Sequence, residues 1–437
     1  MRESKATFIK QSAWMVAASL AGGVGMMLVH VVVGRKPEIY AQFKSLLSIF
    51  YIVGAAQGGL WILFARQAAS ALTPENQSQV IAATWRTSLW IVGVMFFAGL
   101  GLIGVGSNLA NQLKLPSTAA LWATWGLILA TLFASLLRGL LQGCQNFTGL
   151  GLLSMVDGFG RLAAVMICVL WLGGGAASAI SGALIGNIAA IFIGLWTLRK
   201  WLFQTFTPPV LGAVPKGFYS LFFSMIALQV LGQFDTIFLQ LVIPSSWVAE
   251  SGARYSTGSQ IGFALTQFTV PVALVMFPKV VRGVAKKQVT NALQMTLVST
   301  LGLGILAALA CTVVPWLPVQ ILFSKIPTEI SAPLVPWFAW SMLFYTLANV
   351  LLSDRLARAD FRFMPWIVAL ALGYIATLLA LKDYLLSGTP QAAFFLLVRI
   401  LGGANFLLLA LAIIFSLLGR TDPKTLAPPS IVPPGDQ

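Results

Sequence analysis

Residues 12–33 read SAWMVAASLAGGVGMMLVHVVV, and this stretch decides the fold. It follows Arg2, Lys5 and Lys10, as the apolar part of a signal peptide would. It is too long for that, because a signal-peptide core runs for roughly 7–15 residues. It is long enough to cross the hydrocarbon of a bilayer, which takes about 20 residues at about 1.5 Å each. We read it as a first membrane helix that is retained.

The same pattern continues along the chain. Of the 437 residues 58% are hydrophobic and 9% charged, against roughly 25% charged in a soluble domain. Apolar blocks separated by short polar connections predict about twelve transmembrane helices: 9–33, 40–66, 82–108, 118–143, 148–172, 176–199, 217–243, 254–281, 290–315, 331–357, 363–385 and 390–418. The fold class is all-α, a polytopic membrane protein of two six-helix lobes. The longest connection carries Pro208, Pro209 and Pro215 and divides the chain. The expected units are an N-terminal lobe over 1–200, a cytoplasmic linker over 201–216, a C-terminal lobe over 217–420 and a proline-rich, disordered cytoplasmic tail over 421–437.

Charge gives the orientation. The net charge of +15 sits largely at helix ends, which points to topology and lipid headgroups and not to nucleic acid. With the N-terminus inside, 18 Lys and Arg fall on the inside and seven on the outside, so both termini are expected in the cytoplasm. Tyr255 follows Tyr40 by 215 residues, and Phe361 follows Phe147 by 214, each at matching places in the two halves. An even-numbered repeat gives parallel lobes about an axis along the membrane normal.

A helix facing only lipid needs no polar stripe, so stripes mark protein contact or a wet cavity. The first helix carries Ser19, Gly23, Met26 and His30 on one face, and the second Lys44, Ser48, Tyr51 and Gly58. The seventh carries Gln229, Gln233, Thr236 and Gln240, with Asp235 beside them. The eighth carries Tyr255, Ser259, Gly262 and Thr266, with Gln260 alongside. The simplest arrangement faces these stripes across one central cavity; helix–helix adhesion by small and polar residues is the other.

Charges inside a membrane need a reason. Asp157 and Arg161, four apart, are placed to pair along a helix; a structural ion pair or a coupling role would each account for them. Asp235 would pair with a cation across the cavity or carry a proton. Lys44 and Arg254, near outer helix ends, either snorkel or face the cavity. Arg399 would meet an anionic substrate or an acid, and His30, the one histidine, is an interfacial residue or a proton relay. The Arg355–Arg358–Arg362 group is expected at headgroups or at a cytoplasmic gate.

No GxxxxGK[ST] phosphate loop occurs. The three cysteines, Cys144, Cys168 and Cys311, form no CxxC pair, so no metal or other cofactor is implied. No clustered acids or large loop offers a catalytic constellation, and the chain is not read as an enzyme.

The stretch from Phe234 to Val281 contains FDTIFLQ, SGARYSTGSQIGFALTQF and PVALVMFPKV, and LLRGLLQGCQNF closes the fourth helix. These segments resemble the polysaccharide-transporter branch of the multidrug/oligosaccharidyl-lipid/polysaccharide exporter superfamily. The resemblance rests on Asp235, on Gly252 and Tyr255 opening the eighth helix with one extra residue between them, and on Phe277-Pro278. It implies a two-lobed flippase working by alternating access. The substrate would be a polyprenyl-pyrophosphate-linked oligosaccharide moved from the inner to the outer leaflet of the cell inner membrane. The substrate-binding set would be Lys44, Arg254, Arg399, Gln229, Gln233, Gln240 and Tyr255. Membrane lipid, and a glycan polymerase or glycosyltransferases, are the further implied partners. A cation-coupled multidrug exporter of the same superfamily, with Asp235 as its coupling carboxylate, is the alternative; a membrane-embedded enzyme is a third and poorer one.

Overall fold

A computed structural model describes residues 5–71, 73–202, 218–267, 292–357 and 362–418. Its long helices, numbered here in chain order, are α1 (Lys5–Val33), α2 (Pro37–Val53), α3 (Ala56–Ser70), α4 (Pro74–Gln112), α5 (Ala119–Gly143), α6 (Phe147–Val165) and α7 (Ala176–Leu202) in the first lobe. The second lobe has α8 (Phe218–Val242), α9 (Thr257–Gln267), α10 (Ala292–Val313), α11 (Val335–Ala357), α12 (Met364–Ala380) and α13 (Pro390–Leu418).

Eight of the described helices are long and apolar enough to span a bilayer alone. The bent pair α2–α3 makes a ninth, Ala17–Val33 and Met364–Ala380 are shorter apolar helices, and α9 leads into undescribed residues. The described helices are approximately consistent with the twelve expected spans. Most of the linker 201–216, the tail 421–437, Arg358, Phe361, Pro271, Phe277 and Pro278 lie outside the described residues.

Local chemistry explains where the elements differ from expectation. The second span is not one helix over 40–66: it turns at Gly54–Ala55 and bends by 44°. Gly54, Gly58 and Gly59 make this the weakest helix former in the span. The third span starts earlier than 82, because Thr73 caps it, its Oγ1 accepting from the Asn76 N–H at 3.3 Å, and Pro74 suits the first helical turn. The eighth opens through a π-turn, Gly252–Ser256, and the fifth closes through another, Met166–Trp171.

Within the first lobe, helices meet at glycines. Gly22 and Gly25 of α1 lie against the backbone of α6 at Ser154 and Gly158, and Gly186 of α7 lies against Arg161. In lipid there is no hydrophobic drive between helices, so close backbone approach supplies the dispersion contacts that hold them. Two apolar cores result. One is built mainly on α1 to α7; the other, mainly on α8 to α13, includes Phe238, Phe338 and Phe394.

The lobes meet at the end of the bundle opposite the N-terminus, called distal below. Gly252 lies so close to Pro37 that a Cβ there would stand 2.0 Å from the Pro37 carbonyl oxygen. Phe323, in the connection after α10, covers Gly34 and packs on Tyr40 at a tilt, with ring centroids 5.3 Å apart. Gly252→Leu is therefore expected to part the distal ends, at an overpacking cost of about 1–3 kcal/mol. Labelling of Ser45→Cys by a membrane-impermeant maleimide should rise in that background; unchanged labelling would refute the seal.

Candidate functional site

The α2 and α8 stripes meet each other, and the polar seam between them is the candidate site. Lys44 is fully buried at 0% exposure. Its Nζ donates to Gln260 Oε1 at 2.9 Å and to Gln233 Oε1 at 3.4 Å, both across the lobe boundary. Ser48 Oγ donates to the same Gln233 oxygen at 3.1 Å, and Ser45 Oγ reaches the Thr236 carbonyl at 3.5 Å. The ammonium also sits 5.2 Å from the centre of the Phe263 ring.

At this level the expected open cavity is a closed, hydrogen-bonded seam. The reason is physical: a buried ammonium must have acceptors, and the amides of α8 and α9 are the groups that can reach it. Desolvating a charge costs several kcal/mol in a protein, and two amide acceptors and a ring return only part of that. Asp235 lies within electrostatic reach of Lys44 but makes no ion pair with it.

Asp235 has 0% exposure and accepts from the Tyr255 hydroxyl at 2.6 Å through Oδ2. Among the described residues its Oδ1 has no side-chain partner, and neither do Gln229 Oε1, Gln233 Nε2 and Thr236 Oγ1 on the same helix. Tyr255 is wedged between Phe338 and Phe394, with ring centroids 5.0 and 5.9 Å away. In the first lobe the corresponding Tyr40 is equally buried, and its hydroxyl lies 3.2 Å from His30 Nδ1. His30 is not at an interface with water: it is buried at 5% exposure, edge-on to Phe43.

Gln240 belongs to a second clasp between the lobes. Its Nε2 donates to the Leu113 carbonyl at 3.1 Å, and its own carbonyl accepts from Lys114 Nζ at 2.6 Å. The Lys114 carbonyl accepts in turn from Gln42 Nε2 at 2.7 Å. Lys114 has a left-handed backbone, φ 55°, which costs a non-glycine residue about 1 kcal/mol or more. The clasp offsets that strain.

Three expectations end elsewhere. Arg254 pairs with Glu250 at 2.8 Å on its own turn and does not join the Lys44 cluster. Arg399 is exposed and stacks on Trp337 at 4.7 Å, meeting no acid among the described residues. Arg355 is buried and donates to the Ser416 carbonyl, so it is not a headgroup residue. Asp157 and Arg161 do pair, at 2.7 Å, and Asp157 also accepts from Arg138 at 2.5 Å and from Asn187 at 3.0 Å. Arg138 is among the 18 inside positive residues and Lys114 among the seven outside, and sequence marks neither beyond topology. Their spacing from Asp157 and Gln240, 19 and 126 residues, carries no periodic signal. No group of three or more metal-ligating side chains occurs among the described residues.

The fold is that of a known class of membrane transporters. It matches an inward-facing multidrug resistance MATE family transporter of the MOP superfamily with a TM-score of 0.67 at 10% identity, over 95% of this chain and 98% of that one. It matches the lipid II flippase MurJ, in an inward closed conformation, at 0.65 and 17% identity over 96% and 89%. A MOP superfamily transporter from Pyrococcus furiosus matches at 0.64 and 11% identity over 96% and 95%. No curated protein matches by sequence. The family model "Polysaccharide biosynthesis protein" matches residues 38–284, more than half of the chain, and the chain belongs to that family.

The seam makes one energetic statement that thermal unfolding can check. Tyr255→Phe removes the side-chain hydrogen bond to a buried carboxylate and should lower stability by about 1–3 kcal/mol. An unchanged Tm would show that Asp235 is not held there.

Proposed function

We propose that this protein moves a polyprenyl-pyrophosphate-linked oligosaccharide, a polysaccharide precursor, from the inner to the outer leaflet by alternating access. The observation that carries the reading is Lys44, a fully buried cation whose side-chain hydrogen-bond partners across the lobe boundary, among the described residues, are two neutral amides. An amide is a poor partner for an ammonium compared with a phosphate oxygen. A pyrophosphate entering between the lobes competes with Gln233 and Gln260 for Lys44. Because it binds the parted seam better than the closed one, it shifts the population toward opening. The polyprenyl chain stays in lipid while the headgroup crosses. Family membership supports the polysaccharide connection. The 18-to-7 bias of positive residues supports a cytoplasmic N- and C-terminus in the inner membrane. A glycan polymerase or glycosyltransferases would act on either side of the step.

Asp235 favours one second reading. A buried carboxylate with one oxygen lacking a side-chain partner among the described residues suits a coupling cation, as a multidrug exporter requires. In that case Asp235→Asn abolishes drug resistance and leaves glycan distribution alone.

The test uses cells depleted of the protein. A membrane-impermeant glycan-modifying enzyme applied to intact spheroplasts reports which leaflet holds the lipid-linked glycan. Depletion should leave it protected, wild type should restore exposure, and Lys44→Ala should not. Arg399→Ala, outside the seam, should restore it. An unchanged leaflet distribution on depletion would rule out the glycan reading in that cell.

A further inference from the structure

The first lobe holds a charge cluster that the seam does not use. Asp157 sits on α6 at 1% side-chain exposure, with Arg161 one turn above it and Arg138 facing it from α5. One carboxylate against two guanidiniums leaves one positive charge. The geometry also leaves hydrogen-bonding capacity. Arg138 uses only Nη2 on Asp157, and Arg161 only Nε. Their remaining N–H groups find no acceptor among the described residues, and both side chains keep some exposure, 14% and 8%. Asp157 is thus a tether: with Asn187 bonded to the same oxygen as Arg161, it fixes two guanidinium forks at once.

The cluster lies next to the seam's own helix: α2, which carries Lys44, packs on α5 and α7. Tyr51 of α2 packs on Phe263, ring centroids 5.3 Å apart. Phe263 is also the ring under Lys44.

A structural ion pair needs one arginine. A second, half-used one at the same carboxylate is costly to hold in a low-dielectric lobe unless an anion joins it. We infer that Arg138 and Arg161 form a phosphoryl-binding station in the first lobe, which takes the pyrophosphate of a lipid-linked substrate. The inference rests on the transport reading for the identity of that substrate. Guanidinium forks match phosphate oxygens in geometry, and each charge-assisted bond is among the stronger ones available.

The experiment measures binding of farnesyl diphosphate, and separately of inorganic pyrophosphate, to the purified protein in phosphatidylcholine nanodiscs. Both should bind saturably and compete, with farnesyl diphosphate the tighter. Equal affinities would overturn the lipid-linked source. Arg138→Gln should weaken both by about 10- to 100-fold, the loss of a charge-assisted bond. Asp157→Asn, which leaves two positive charges, should tighten them. A purely structural cluster would instead lower Tm without moving affinity. Should Arg138→Gln fail to fold, Arg138→Lys keeps the charge and loses the fork, and should bind several-fold more weakly. No saturable binding by wild type, or equal binding by the folded variant, overturns the station. Binding to the arginines with an unchanged glycan leaflet distribution in depleted cells would sink the transport reading and leave the station standing. Normal flipping by Arg138→Gln would sink the station alone.

Discussion

A single ammonium group, that of Lys44, has been taken out of water at the boundary of two lobes, and the arrangement around it follows from that cost. It is bonded to two amide oxygens of the other lobe, packed over Phe263 and influenced by Asp235 at longer range. None of these alone repays desolvation in a medium of low dielectric. The closed seam is therefore held by many modest contacts and burdened by one expensive group. Such a balance suits a boundary that must open. A direct ion pair with Asp235 would deepen the closed state, and an apolar seam would give an anion nothing to grip.

The contrast between the interior of the first lobe and the lobe boundary is the mechanical basis of the proposed cycle. Inside that lobe, glycines bring α1, α6 and α7 into backbone contact. Such packing has few alternatives, because parting the helices forfeits dispersion that lipid does not fully replace. Around Lys44 the boundary contacts are polar and replaceable by water, and close apolar packing is confined to places such as Phe323 on Tyr40 and Tyr51 on Phe263. Ser48 and Gln233 can each be solvated, and the Lys114 clasp joins backbone carbonyls that water satisfies equally well. In the proposed cycle the lobes would move as bodies, their interiors resisting more than the polar part of their boundary. Tyr40 and Tyr255 repeat one device in the two halves: a buried hydroxyl tied to a titratable partner from the preceding helix. The partner differs, a histidine in one half and an aspartate in the other, so the repeated framework is chemically asymmetric.

The fold was legible because lipid imposes a simple rule. Every backbone group must be paired within the span, so apolar length alone marks helices. The stripes on the second, seventh and eighth helices were legible too, since polar residues at helical spacing must face something other than lipid. What they face was not. Whether Lys44 meets water or Gln260 depends on how closely two lobes approach, and Gly252 against Pro37 sets that approach without any periodic mark. Arg138 escaped notice for a related reason. It lies five residues from a helix end, where a snorkelling arginine and an inward-facing one look alike in sequence, and only the rotation of α5 distinguishes them. Arg399 shows the reverse error. A charge well inside the last helix invited a cavity role, and the fold turns it onto Trp337.

The most direct test of the Lys44 account is the separation of the lobes with and without its ammonium. Spin labels at the distal ends of α1 and α8, in the wild type and in Lys44→Met, give the distance distribution by pulsed electron resonance in nanodiscs. Methionine keeps the length and removes the charge, so no anion can draw it out. The account predicts that pyrophosphate lengthens the distance in the wild type and leaves Lys44→Met unchanged. An equal lengthening in both would show that Lys44 is packing material and that the seam opens by another cause.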